Sequence, residues 1–369
     1  MKSVLFFIPT LDGGGAEKVL VNLANNLDKE KYSVTVQTIF KAGVHSSSLN
    51  KDVEYIAGKT KAFKGNVRLF KFFSPEFLYR KIIRKRYDIV VAYLEGVACR
   101  IVSGCPYSDS KKVGWIHGEQ KNIKAASYSF RSEKEMNTLY NRFDKIACVA
   151  ETVKTDFESL ASLNKDCVVL YNTNETDEII EKSKEPLQGF KFSKELNLIS
   201  VGRLTPQKGF DRLINVHKRL LDCGIKNNLY ILGQGQLRDK LTMQSEELGV
   251  SKSVHFLGFQ KNPYNYVANA DLFVCSSRQE GFSTAVTEAL VVGTPVVSTN
   301  CSGAYELLGN NNEYGIVTEQ SEEAIFQAIY KLVTNEGQLN YYRNQATTRG
   351  AVFSKKKTVA SVETAFECL

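Results

Sequence analysis

The sequence predicts an α/β protein built from two doubly wound domains, each with a parallel sheet covered by helices. Three observations predict this fold class. Short apolar segments alternate with amphipathic helical stretches along most of the 369 residues. Loops with turn-forming residues end many of the apolar segments and open the next helix. A polar, charged segment at 172–193, which contains Pro186, separates the alternating pattern into two halves.

Each half contains six predicted strands. In the first half they lie near 3–8, 33–38, 88–93, 112–117, 144–149 and 167–171. In the second half they lie near 196–201, 228–232, 253–257, 271–275, 295–299 and 315–317. We therefore predict a first domain at 1–171, a linker at 172–193 and a second domain at 194–350. The last helical stretch, about 336–367, is amphipathic and has no obvious partner strand.

Composition indicates a globular protein of the cytoplasm. Hydrophobic residues make up 43% of the chain, but no run approaches the ~20 apolar residues that span a bilayer. The first apolar run, Val4–Ile8, stops at Pro9 and is too short for the core of a signal peptide. The eight cysteines form no C-x-x-C pair, so we expect neither disulfides nor a structural metal.

A pair of glutamates eight residues apart, Glu280 and Glu288, is the most informative motif. It follows the apolar strand at 271–275 and enters an apolar helix that begins near Ser283 and Thr284. Ligands bind at the carboxyl ends of strands in such sheets, and carboxylates accept hydrogen bonds from paired sugar hydroxyls. Taken alone, the pattern also fits a surface glutamate followed by an ordinary helix glutamate.

A second motif follows the strand at 196–201: Gly202-Arg203-Leu-Thr-Pro-Gln-Lys208-Gly209. Arg203 and Lys208 are suited to a diphosphate, because arginine offers a planar fork of donors and lysine a compact charge. Solvated loop cations are the alternative reading. The first motif offers carboxylates that can bind sugar hydroxyls, and the second offers cations that can bind phosphates. Together they indicate a nucleotide sugar as the ligand.

A glycine-rich loop, Asp12-Gly13-Gly14-Gly15-Ala16-Glu17-Lys18, follows the first strand. It allows close approach of a ligand and places a helix N-terminus beside it. The dinucleotide fingerprint G-x-G-x-x-G is the rival reading, but Lys18 stands where the third glycine is needed. The strand at 33–38 also ends without the acidic residue expected to hold an NAD ribose. Both features argue against a dehydrogenase.

On these motifs the chain resembles the retaining glycosyltransferases of family 4, over nearly its whole length. The resemblance implies the GT-B fold, two Rossmann-like domains facing a central cleft, with a C-terminal helix at 351–369 crossing back to the first domain. It implies that Arg203 and Lys208 bind the donor diphosphate, that Glu280 contacts the donor sugar and that Glu288 contacts the ribose. Further donor-site residues that it implies are Gly14, Gly15, Gly202, Phe259, Gly281, Phe282, Ser283 and Thr284.

His117 ends the strand at 112–117 in the sequence Trp115-Ile-His117-Gly-Glu119. A lone histidine at such a place is more often a packed residue. In the resembling family a histidine here approaches the donor sugar, so we include His117 with Glu280, Arg203 and Lys208 as the catalytic set. The resemblance also implies that Glu17 lies at the donor or acceptor site. Glu119 is one position from the family's usual acid, which leaves its role open.

Charge is distributed unevenly: the net charge is +8, and the basic excess falls entirely within residues 1–171. It concentrates in 59–87, where ten basic residues and one acid, Glu76, alternate with aromatic residues. An aromatic-basic helix of this kind is typical of membrane surfaces, and we assign Arg80, Lys81, Arg84, Lys85 and Arg86 to this contact. Nucleic acid is the rival partner, but no nucleic-acid-binding fold accompanies the segment. Aromatic residues packed beneath a solvated basic face are the remaining alternative.

The sequence therefore predicts a membrane-associated cytoplasmic glycosyltransferase. It would move a sugar from a nucleoside diphosphate sugar, UDP favoured over GDP, to a lipid-linked saccharide in surface polysaccharide assembly. No cofactor is expected, and because the chain contains no D-x-D pair we expect no metal requirement. Two alternatives stay open. One is a GT-B nucleotide-sugar epimerase, and the other is a non-catalytic protein that binds polyanions or membranes.

Overall fold

Two parallel β-sheets organise the chain in a computed structural model that describes residues 1–12, 14–41, 43–58, 66–120 and 122–369. The residues form two units. The first comprises Met1–Asn174 together with Lys356–Leu369, and the second comprises Glu175–Lys355. Each unit has its own sheet and its own buried apolar core.

The first sheet has seven parallel strands in the order β3-β2-β1-β4-β5-β6-β7. Its strands are β1 Lys2–Ile8, β2 Tyr32–Thr38, β3 Glu54–Ile56, β4 Ile89–Ala92, β5 Lys111–Ile116, β6 Lys145–Cys148 and β7 Val168–Val169. The chain builds outward in one direction from β1 to β3 and in the other from β4 to β7. The loops after β1 and β4 therefore flank a topological switch point, the place where open α/β sheets bind ligands.

The helices of the first unit connect these strands and cover the sheet. They are α1 Gly15–Asn26, α2 Asn66–Lys71, α3 Pro75–Ile82, α4 Val97–Val102, α5 Ile123–Ala126, α6 Glu133–Tyr140 and α7 Glu151–Leu160. The C-terminal helix, Lys355–Glu367, packs on this unit. Phe366 contacts the rings of Phe6 and Tyr32 at centroid distances of 6.3 and 5.9 Å, and Glu363 accepts a 2.8 Å hydrogen bond from the Asp28 N–H.

The second sheet has six parallel strands in the order β10-β9-β8-β11-β12-β13. Its strands are β8 Leu196–Val201, β9 Asn227–Leu232, β10 Val254–Gly258, β11 Leu272–Cys275, β12 Val296–Thr299 and β13 Ile316–Thr318. The switch point lies between β8 and β11, which are hydrogen-bonded neighbours. The loops after these two strands carry the Gly202–Gly209 motif and Glu280.

The second unit has eight helices, α8 to α15, and the C-terminal helix described above, Lys355–Glu367, is α16. They are α8 Thr176–Ser183, α9 Phe210–Asp222, α10 Arg238–Glu247, α11 Tyr264–Asn269, α12 Thr284–Val291, α13 Ala304–Leu308, α14 Glu322–Thr334 and α15 Gln338–Gly350. The core between α9, α14 and the sheet is built from buried leucine, isoleucine, valine and phenylalanine side chains. Within the described ranges, no helix has the length and apolar content that crossing a bilayer requires.

The predicted fold class, two Rossmann-like parallel-sheet domains, is confirmed. Three local features differ from the sequence-based expectation. The edge strand β3 was not predicted, and the segment 172–193, predicted as a linker, contains helix α8 within the second unit. The final helical stretch is two helices, α15 and α16, separated by a 3-10 turn at Ala351–Phe353 and by Ser354.

Candidate functional site

The switch point of the second sheet brings Lys208 and Glu280 into direct contact. The Lys208 Nζ lies 2.6 Å from Glu280 Oε1, and the Ser277 hydroxyl donates a 2.5 Å hydrogen bond to the same oxygen. The two charged side chains are only 22% and 11% exposed. Because strands β8 and β11 end side by side, residues 72 positions apart form one polar centre.

Glycines explain how Lys208 reaches this position. A Cβ at Gly202 would lie 3.1 Å from Lys208 Cε, so the glycine leaves room for the lysine stem. Gly209 has a left-handed backbone with φ of 64° and joins the 3-10 turn Pro206–Lys208 to α9. A Cβ at Gly209 would collide with the Ser276 carbonyl at 2.2 Å. Gly209 is therefore a steric requirement of the loop, whereas a Cβ at Gly202 would require the Lys208 stem to shift by a few tenths of an ångström.

Hydrogen bonds join the two loops over several residues. The Arg278 N–H donates to the Gln207 carbonyl at 2.7 Å, and the Gln207 side-chain amide donates to the Gln279 carbonyl at 2.9 Å. The buried Arg212 guanidinium donates to the Ser276 and Ser277 carbonyls at 2.8 and 2.6 Å. The charged pair therefore sits on a fixed frame. Sequence reasoning missed Arg212, because the pattern gave no sign that a helix arginine points inward.

Electrostatics keep Lys208 charged. Burial alone would lower the pKa of Lys208, but the charge of Glu280 and the hydrogen bond between them outweigh it and raise the pKa above its usual value. Arg203 is exposed, and its like charge acts on the pKa of Lys208 in the opposite direction. The two loops therefore carry two cations and one carboxylate.

Several of the other predicted donor residues lie in the turn from β11 into α12. Ser283 is the N-cap of this helix, and its hydroxyl accepts a hydrogen bond from the Val286 N–H at 3.4 Å. Phe282 is buried against Phe353, with ring centroids 5.6 Å apart. A Cβ at Gly303 would lie 2.8 Å from the Phe282 ring, so a glycine is needed beneath it. Phe282 therefore serves chiefly to anchor the turn.

Three further predicted residues have distinct places. Gly281 is the turn residue before Phe282, Thr284 is the first residue of α12, and Glu288 is buried in the second turn of this helix. Phe259 is exposed at the end of β10, three strands away from β11 in the sheet order. At about 4.8 Å per strand this puts the end of β10 roughly 14 Å from that of β11, which suits opposite ends of an extended ligand.

In the first unit, His117 follows β5 with its ring packed on Tyr93 at a centroid distance of 4.7 Å. Burial lowers the pKa of His117 to about 3, so the imidazole is neutral at physiological pH. Within the described parts of the chain, its buried Nε2 has no hydrogen-bond partner. The His117 N–H donates to Glu95 Oε2 at 2.9 Å.

Glu95 was missed by sequence reasoning. It follows β4 in the same way that Glu280 follows β11, as a glutamate before a glycine at the end of an apolar strand. That repeated strand-Glu-Gly pattern was the available signal. Glu119 lies two residues beyond His117 and is half-buried.

The glycine-rich loop after β1 is described except for Gly13. Gly14 is the N-cap of α1 and Gly15 its first residue. Glu17 lies over this N-terminus, since a Cβ at Gly14 would come within 2.0 Å of a Glu17 carboxylate oxygen. A carboxylate at this position favours a ligand with hydroxyl donors over a phosphate.

The predicted basic-aromatic segment is described from residue 66 onward, and residues 59–65 lie outside the described ranges. Phe72 is 80% exposed, and Leu69, Phe73 and Phe77 are also exposed. Phe73 stacks on Phe77 at 5.2 Å, and Lys81 Nζ lies 5.7 Å from the Phe77 ring centroid. We call Leu69, Phe72, Phe73 and Phe77 the aromatic surface. These side chains are exposed, whereas Leu78, Tyr79 and Tyr87 of the same segment are buried, so packing accounts for the second group only.

The basic residues assigned to this surface divide into two groups. Arg80, Lys81 and Arg84 are exposed. Lys85 forms an ion pair with Glu54, and Arg86 forms one with Asp109. Arg80 and Lys81 belong to helix α3, which also carries Phe77, and Arg84 follows this helix.

Two arginines fix the backbone that carries the aromatic surface. Arg100, with a side chain 1% exposed, donates to the carbonyls of Phe70 and Phe73, each at 2.9 Å. Arg131 donates to the two carbonyls between them, at 2.6 and 3.3 Å. Glu135 accepts from Arg100 at 3.0 Å and from the Arg131 N–H at 2.5 Å. These hydrogen bonds hold the backbone of residues 70–73, which carries the exposed rings of Phe72 and Phe73.

Comparison with known proteins identifies both halves of the chain. The model for "Glycosyl transferases group 1" matches residues 181–349, and that for "Glycosyltransferase Family 4" matches residues 13–178. A Campylobacter jejuni protein named N-acetylgalactosamine-N,N'-diacetylbacillosaminyl-diphospho-undecaprenol 4-alpha-N-acetylgalactosaminyltransferase is 33% identical over 97% of both chains. A second C. jejuni N-acetyl-D-galactosaminyltransferase, which is named for an undecaprenol-linked saccharide, is 26% identical over 91% of this chain and 90% of its own.

Solved structures share the fold. The complex of Anabaena HepE with UDP superposes with a TM-score of 0.78 at 19% identity, covering 100% of both chains. The lipopolysaccharide outer core galactosyltransferase WaaB in its apo form gives a TM-score of 0.72 at 18% identity, again over 100% of both chains. At these identities the likeness concerns the fold.

We predict energetic coupling between Lys208 and Glu280. In Lys208→Met or Glu280→Gln alone, a largely buried group loses its partner, and each substitution should lower the free energy of unfolding of the second unit by about 1–3 kcal/mol. The double variant should be less destabilised than the sum of the two, by about 1–2 kcal/mol. Thermal and urea unfolding of the four proteins measures this, with the exposed pair Lys218 and Asp222 as the matched control. Strict additivity would mean that the ion pair is not formed in solution.

Proposed function

This chain is a member of glycosyltransferase family 4 with the GT-B fold, and on that premise we propose that it transfers a sugar from a UDP-sugar to a lipid-linked glycan with retention of anomeric configuration. The Lys208–Glu280 centre is the observation that carries the proposal. It combines a cation for a diphosphate with a carboxylate for sugar hydroxyls at a topological switch point.

The donor proposal has two supports. Arg203 and Lys208 supply positive charge for a diphosphate, and UDP is bound by HepE, which shares the fold. Two relatives that match nearly the whole chain are named as N-acetylgalactosaminyltransferases. UDP-N-acetylgalactosamine is therefore the first donor to test. Other UDP-hexoses and UDP-N-acetylhexosamines follow, and GDP-sugars come last.

The proposed reaction depends on where charge develops. As the glycosidic bond to the diphosphate breaks, negative charge grows on the β-phosphate, and Lys208 and Arg203 stabilise it. The acceptor hydroxyl attacks from the face that the phosphate leaves, hydrogen-bonded to the departing oxygen, which retains the configuration. Glu280 holds hydroxyls of the transferred sugar. In the first unit, the neutral His117 Nε2 is available to a substrate hydroxyl. We propose that two basic side chains do the work that a divalent metal does in other transferases.

The acceptor is proposed from the relatives and from the aromatic surface. Both C. jejuni relatives are named for undecaprenol-linked saccharides, which reside in a membrane. Exposed phenylalanines beside lysine and arginine suit the interface of an anionic bilayer, where each nearby basic residue contributes roughly 1 kcal/mol. We therefore propose a peripheral protein at the cytoplasmic face of the membrane, with bacterial surface polysaccharide assembly as its setting.

The first test is a donor screen with purified protein, EDTA and a bacterial lipid extract. We expect UDP release with UDP-N-acetylgalactosamine and its increase by the extract, because the acceptor completes the reaction. Nucleotide release is measured by a coupled assay, and the lipid product by mass spectrometry with analysis of the anomeric configuration. The matched control is Lys208→Met, which should lower turnover at least 100-fold, in the range of a lost oxyanion donor.

Other outcomes of this screen would contradict the proposal. Interconversion of nucleotide sugars without an acceptor would indicate an epimerase. Absence of nucleotide release with every donor, combined with tight binding to polyanions or vesicles, would indicate a non-catalytic protein.

The membrane proposal is tested with vesicles of phosphatidylglycerol and phosphatidylcholine. Replacing Phe72 and Phe77 by serine should weaken binding about tenfold or more, since each exposed ring buries apolar area in the interface. Met243→Ser, which removes an exposed apolar side chain of the second unit, should leave binding unchanged. Cosedimentation measures the affinity. Equal binding by all three proteins would remove the aromatic surface from the proposal.

A further inference from the structure

Glu95 lies in the loop after β4, at the carboxyl edge of the first sheet. It follows β4, whose neighbour in the sheet on one side is β1 and on the other β5, so it lies at the topological switch point. Its carboxylate reaches under the turn that follows β5. Oε2 accepts the His117 N–H at 2.9 Å, and the Gly118 N–H also favours the charged form of this carboxylate.

The turn above Glu95 is shaped around the carboxylate. A Cβ at Gly118 would lie 2.9 Å from Glu95 Oε1, so only glycine allows this approach without movement of the side chain. Burial raises the pKa of Glu95, while the N–H groups of His117 and Gly118 act in the opposite direction and favour the carboxylate. Removing the negative charge would therefore loosen two backbone contacts at once.

His117 is the side chain that this turn presents. Its ring packs against Tyr93, and its Nε2 is buried without a partner among the described residues. A buried ring nitrogen left open in this way is costly unless a ligand completes its hydrogen bond. A sugar hydroxyl can do so, because it both donates and accepts.

We propose that Glu95 is a positioning residue of the transfer reaction. By holding the turn at His117 and Gly118 it fixes the His117 ring, so that Nε2 can bond to a hydroxyl of a bound substrate. The proposal rests on the proposed function. Glu95 acts through His117 and does not touch the substrate itself.

The test is a double-mutant cycle of Glu95→Gln and His117→Ala. Glutamine keeps the size of the side chain but offers a single acceptor oxygen, and its amide group faces the backbone N–H donors. Glu95→Gln should lower kcat about 10- to 100-fold, because small displacements of a reacting geometry are costly. UDP affinity should change less than twofold, since the diphosphate contacts belong to the second unit. The double variant should match His117→Ala within about twofold.

A matched control separates this role from a general structural one. Glu158 likewise accepts a backbone N–H, that of Cys167, at 2.7 Å in the same unit. Glu158→Gln should keep full turnover. If Glu95→Gln does not fold, the cycle is run with Glu95→Asp, which retains the charge on a shorter side chain and should show an intermediate loss that again disappears in the His117→Ala background.

Several results would overturn the proposal. They are full activity of Glu95→Gln, losses that multiply in the double variant, or a large loss for Glu95→Gln beside a fully active His117→Ala. Failure of the proposed function looks different, because the unmodified protein would then turn over no donor.

Discussion

The contact on which the candidate site depends is the ion pair between Lys208 and Glu280. It forms because β8 and β11 are adjacent parallel strands, so that the loops after them lie side by side. Hydrogen bonds from Arg212 and Gln207 hold these loops in register before any ligand arrives. A donor diphosphate would meet a charged lysine whose present partner is the carboxylate proposed to bind the sugar. Binding of both parts of one ligand can therefore replace the ion pair, because the diphosphate pairs with Lys208 and the sugar hydroxyls donate hydrogen bonds to Glu280.

The first unit uses the same topological rule with different chemistry. Glu95 lies at a switch point as Glu280 does, but its carboxylate accepts the backbone N–H of His117, whereas Glu280 pairs with a cation. One carboxylate is thereby suited to shaping a loop, and the other to exchanging partners with a ligand. A third device, the arginine pair Arg100 and Arg131, holds the carbonyls beneath the aromatic surface. In all three cases a charged side chain lies at a loop. It either forms hydrogen bonds with the loop backbone or is positioned to bind a ligand.

The fold and the motif residues could be predicted from sequence because they are local. Alternating apolar runs mark the strands, and Gly202, Lys208 and Glu280 stand at strand ends within short, readable loops. The three-residue β3 was missed, since Glu54–Ile56 is too short to show a period. The contacts of Glu95, Arg100 and Arg212 were missed for another reason: each joins residues 22 or more positions apart, and only the sheet order decides which loops meet.

The most direct test of the account is a calorimetric titration of the protein and of Glu280→Gln with UDP and with UDP-N-acetylgalactosamine. If Lys208 exchanges Glu280 for the diphosphate while Glu280 binds the sugar, the variant should bind UDP at least as tightly as the unmodified protein. It should also lose most of the extra affinity that the sugar provides. A variant that binds UDP and the UDP-sugar with equally reduced affinity would contradict the account, because Glu280 would then support the loop and not the sugar.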